Sequence, residues 1–139
     1  MDLYTIQMSQ WRILPKDVTR CDVTILSKDQ FFKKNFAPPT YDLIRKYKKG
    51  EIDNKTYREV YLEHLKKNFL KNKEEWLAFL SKGGSVALMC FCKVSPTDNF
   101  RDFTQEQVSC HRFLLADFLE EIGDAYNITV INKGEFKSD

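Results

Sequence analysis

An unbroken apolar run, Val86-Ala87-Leu88-Met89-Cys90-Phe91-Cys92, narrows the possible folds more than any other stretch. Continuous apolarity over so few residues marks a strand buried on both faces, which is the signature of a covered parallel sheet. Farther on, Cys110-His111-Arg112 opens a second run, Phe113 to Ile122. There Leu115, Phe118, Leu119 and Ile122 fall at the 3, 4 and 7 spacing of a helical face. Gly123 supplies a C-terminal stop. A strand feeding a helix through a polar segment is the unit in which ligands sit beyond the strand's carboxyl end. Three of the four cysteines and one of the two histidines lie at this junction, which makes it the first candidate site.

The remaining patterning supplies partners for that strand. Leu3 to Met8, Cys21 to Leu26 and Asn127 to Ile131 read as further strands, rich in β-branched and aromatic residues. Three helices are expected between the second and third strands. Thr40 caps the first, which stops at Gly50. The second is capped by Asp53 or Asn54, or starts later at Thr56, and the third runs from Asn72 to Gly83-Gly84. Ser27 to Pro39 shows no clean period and reads as an ordered loop; the tail from Lys133 to Asp139 should fray. The expected architecture is one three-layer α/β domain over residues 1–139. Its small, mainly parallel sheet has about four strands flanked by helices.

Composition excludes several classes. Apolar residues at 42% rule out a disordered chain, and 22 basic against 20 acidic residues leave no strong field for an obligate nucleic-acid partner. The Lys- and Arg-rich helices between Arg45 and Lys73 interleave both signs, as solvated surfaces do, so nucleic acid is possible but not favoured. No apolar run approaches the ~18 residues of a membrane span. The amino terminus has no signal-peptide pattern, so a cytoplasmic protein with free thiols is expected.

The two cysteine pieces together resemble the bacterial and phage family called domain of unknown function 488. In that family an apolar strand ends in Cys-aromatic-Cys, and a Cys-His-Arg triplet opens an apolar helix. Asp22-Val23-Thr24 with Ser27, Phe36-Ala37-Pro38 and Tyr57 to Tyr61 are similar as well, so the resemblance covers roughly residues 3 to 123. Members usually join the two cysteine pieces by a few residues; here Lys93 to Ser109 intervenes as an insertion at the mouth of the site. The resemblance implies a fold and candidate residues, and no reaction.

Chemistry assigns expected roles. A helix start favours an anion, lowers a thiol's pKa and, with Arg112, can grip a phosphate. Cys92 stands at the end of the central strand. Asp22, Thr24 and Ser27 offer oxygen groups for a ribose, Arg12 offers a charge for phosphate, and Trp11 offers an indole on which a base could stack. The expected ligand is therefore a nucleotide or nucleotide-derived small molecule. One form would be a phage-type sponge for an immune signal. The alternatives are a hydrolase or transferase, with Cys110 as nucleophile and His111 or Asp22 as base, and a nucleic-acid binder. Zinc is disfavoured, because two alternate strand cysteines do not form a knuckle and adjacent Cys110 and His111 diverge on a helix. No cofactor is expected.

Overall fold

The computed structural model describes residues 1–36, 38–91 and 111–137. Four strands, β1 (Asp2–Gln7), β2 (Val18–Asp22), β3 (Ser85–Cys90) and β4 (Ile131–Glu135), form one sheet in the order β2-β3-β1-β4, with all three pairings parallel. Because every strand runs the same way, Gln7, Asp22, Cys90 and Glu135 end on one edge.

Helices α1 (Gln30–Asn35), α2 (Tyr41–Lys48), α3 (Asn54–Lys71), α4 (Lys73–Ser81) and α5 (His111–Ala125) carry the connections. All five pack their apolar residues into a single core with Leu3, Cys21, Val86, Leu88 and Cys90. Tyr61, Leu65, Trp76, Leu115 and Leu119 lie at its centre, fully or almost fully removed from water. Alternation sends Ile6, Ala87 and Met89 to the opposite face. That third layer is thin: a 3-10 turn, Met8–Ile13, with Leu14 and Phe136 beside it. β3 is buried along five of its six residues, as its continuous apolarity requires.

Capping follows the local chemistry at three helices. Thr40 Oγ1 accepts from Leu43 N at 3.2 Å, and Asp53 Oδ1 accepts from Thr56 N at 2.7 Å. Ser27 to Pro39 is not all loop, because Asp29 Oδ1 accepts from Phe31 N and Phe32 N and starts α1. Phe31, Phe32 and Phe36 then pack edge-on, stacked or tilted among themselves and against Phe79.

Among the boundaries that differ from those expected, three have an identifiable reason. β2 ends at Asp22 because its Oδ1 takes both Thr24 N (3.0 Å) and Thr24 Oγ1 (2.7 Å). This side-chain turn overrides the β-branched run that follows. Gly123 does not stop α5, which continues to Ala125. A Cβ at Gly123 would lie 2.7 Å from both Ile128 O and Val130 Cγ2, so the glycine is where the returning chain crosses the helix. The last strand starts only at Ile131, after Asn127 turns the chain at φ 59°. Lys133 to Glu135, expected in a frayed tail, therefore belong to the sheet.

Candidate functional site

The carboxyl edge gathers a buried polar network between the sheet and the start of α5. Arg112, the second residue of that helix, is completely buried. Its Nη2 lies 2.7 Å from Glu135 Oε2 and its Nε 3.3 Å from Glu135 Oε1, a two-pronged ion pair. Its Nη1 also donates to Cys90 Sγ at 2.9 Å. Thr5 Oγ1 donates to Glu135 Oε1 at 2.7 Å from the neighbouring strand. The ends of β1, β3 and β4 are thus joined through one guanidinium and one carboxylate. Glu135 keeps about a fifth of its side chain accessible, whereas Arg112 keeps none.

His111 flanks this network on the β2 side. Its Nε2 is 2.7 Å from the carbonyl oxygen of Val23, which can only accept. Nε2 therefore carries a hydrogen, and the lone pair of the neutral ring resides on Nδ1. Burial pushes the imidazole's pKa below its ordinary value, and the Arg112 charge pushes the same way. Cys90, the Val23 carbonyl and Asp22 work against that shift without reversing it. At neutral pH the ring is uncharged.

The structure separates the sequence-derived candidates. It brings together His111, Arg112 and the Asp22 edge, and adds Cys90 from the core. Thr24 and Ser27 are buried and build the turn after β2: Thr24 donates to Asp22, and Ser27 Oγ accepts from Asp29 N at 3.2 Å. Trp11 and Arg12 lie in the 3-10 turn on the other face of the sheet. There the guanidinium carbons of Arg12 and Arg20 stand 5.4 and 5.2 Å from the indole centre. Cys92, Cys110 and the 93–109 insertion lie outside the described residues. Among the described residues, no three metal-ligating side chains converge and no helix is long and apolar enough to cross a membrane.

Thr5 and Glu135 join the site without any signal in the sequence. A lone acid near the carboxyl terminus carries no spacing signal, and its partner on α5 lies 23 positions away. Only the pairing of β4 with β1 makes the contact.

A family model described as the active DUF488-N3 subclade matches residues 5–123. The chain is a DUF488 protein. The family resemblance seen in the cysteine pieces therefore holds across most of the chain. Thr5, Asp22, Cys90, His111 and Arg112 fall inside the match; Glu135 and all of β4 lie beyond it. No curated protein and no solved structure matches the chain.

Proposed function

We propose that the carboxyl edge of the sheet binds a nucleotide or nucleotide-derived small molecule, and that the protein acts on it as a hydrolase or transferase. The observation carrying this reading is the buried Arg112–Glu135 pair. Apolar residues of similar volume commonly stabilise a fold as well as a buried ion pair does. A pair kept at the open end of a parallel sheet instead suits a site that needs a fixed, ionised carboxylate. Ligands of such sheets sit beyond this end, where the α5 start also favours an anion.

In this reading Glu135 and Asp22 receive sugar hydroxyls or a proton from an attacking group, and neutral His111 offers Nδ1 as a second proton acceptor. Arg112 is reassigned. Instead of gripping phosphate, it is the buried counterion that holds Glu135. Cys110 remains the candidate nucleophile. The word "active" in the family description favours turnover over mere binding.

A sequestering protein is the second reading, favoured by the complete burial of the guanidinium, which suits a rigid holding site. The test incubates the protein with a mixture of ribonucleotides, cyclic dinucleotides and NAD, followed by mass spectrometry of small molecules and of the native protein. A product that is missing with Glu135→Gln supports the enzyme. A ligand released unchanged supports sequestration, and an unaltered mixture with a bare protein mass overturns both.

A further inference from the structure

We infer that the bulge at Lys133–Gly134, anchored by Asn132, is the device that turns Glu135 toward Arg112, which makes Gly134 and Asn132 positioning residues. The inference rests on Glu135 serving the site proposed above, and it concerns how this carboxylate is aimed. Two residues of β4 reach α5. The Asn132 side chain donates to Asp117 Oδ1 at 2.7 Å, and its backbone N–H donates to Glu120 Oε2 at 2.6 Å. Glu135 meets Arg112. They are three positions apart, and strict alternation would send two such side chains to opposite faces.

The strand pairing resolves the conflict. Leu3 faces Asn132, but Tyr4 faces Gly134 and Thr5 faces Glu135, so Lys133 is the extra residue. The hydrogen bonds count the same way. Ile131 N donates to Met1 O and Phe136 N to Thr5 O, five steps along β4 against four along β1. Lys133 is exposed to solvent. Gly134 adopts φ 79°, a left-handed conformation that glycine takes without steric cost, and its N–H donates to Asn132 Oδ1 at 2.9 Å. Without the bulge, Glu135 would stand opposite Ile6 and point toward the 3-10 turn, away from Arg112.

The experiment compares wild type, Gly134→Ala, Glu135→Gln, and Gly134→Ala combined with deletion of Lys133, reading hydrogen exchange at the Arg112 Nε–H by NMR. Deleting the extra residue restores regular pairing while keeping Glu135 opposite Thr5, so it removes the need for a positive φ. Gly134→Ala should exchange more than tenfold faster than wild type, as Glu135→Gln should, and the deletion should restore protection. Wild-type protection in Gly134→Ala overturns the inference. So does a folded deletion variant that stays unprotected. Should Gly134→Ala fail to fold, the deletion variant decides alone: folded and protected supports the inference, and anything else overturns it. This readout needs no substrate, so a lack of turnover in wild type refutes the proposed reaction while leaving the aiming of Glu135 separately tested.

Discussion

Removing the Glu135 carboxylate tests the central network most directly. In Glu135→Ala the Arg112 guanidinium stays fully buried but loses its two-pronged partner, and the Thr5 hydroxyl loses its acceptor. Breaking a buried pair from one side costs about 3–5 kcal/mol, because the remaining buried charge is less well compensated. Glu135 is partly accessible, so water can enter the space it vacates, which places the expected loss near the lower bound, about 3 kcal/mol. For a chain of this length that loss corresponds to roughly 10 °C in Tm. In urea it corresponds to a midpoint lower by roughly 1–3 M at an unchanged slope. The reciprocal change is informative. Arg112→Met with Glu135→Leu removes both charges together and should recover most of the loss, since apolar replacement of a whole buried pair is often neutral. Equilibrium urea unfolding of both variants is the assay. A Glu135→Ala midpoint within error of wild type would refute the claim that Arg112 depends on this carboxylate.

Other consequences follow from single residues. Because burial lowers the His111 pKa, the unfolded chain takes up a proton before the native ring does. The resulting stability is fully present above about pH 6.5 and is lost as pH falls toward the depressed native value, at about 1.4 kcal/mol per pH unit within that window. His64 shifts the same way through burial, so the steeper acid loss should shrink, without vanishing, in His111→Gln; an unchanged pH profile would remove His111 from the account. Gly123→Ala should destabilise by roughly 1–3 kcal/mol despite alanine's better helix propensity, because its Cβ would meet the Ile128 carbonyl; chemical denaturation would detect this. Burial, with Asp29 adding to it, pushes the Cys21 thiol up to about 12. Peptide mapping after brief native alkylation at pH 8 should find Cys21 unlabelled, and labelling at the rate of a free thiol would contradict the fold around β2.

Patterns that are local and periodic were legible in the amino-acid order. The apolar run of β3, the 3.6-residue stripes of α2 to α5 and the Thr40 cap each depend on neighbours within about four positions, whereas the choice of Asp53 over Asn54 or Thr56 was left open. Those signals were enough for a parallel α/β domain, for its family, and for placing His111 and Arg112 at a helix start beside a strand end. Boundaries were lost where a side chain competed with the backbone, as at Asp22, or where a neighbouring segment set the requirement, as at Gly123. Tertiary structure alone decided which groups of the sheet Arg112 meets. Its partner is a carboxylate on a strand that sits two places away from β3 in the sheet, turned inward by one extra residue. Neither strand order nor bulge parity leaves a periodic trace, because both arise from pairing between segments far apart in the chain. A charge read from the sequence as a phosphate grip at a helix start is, in the folded molecule, fully buried and paired with Glu135.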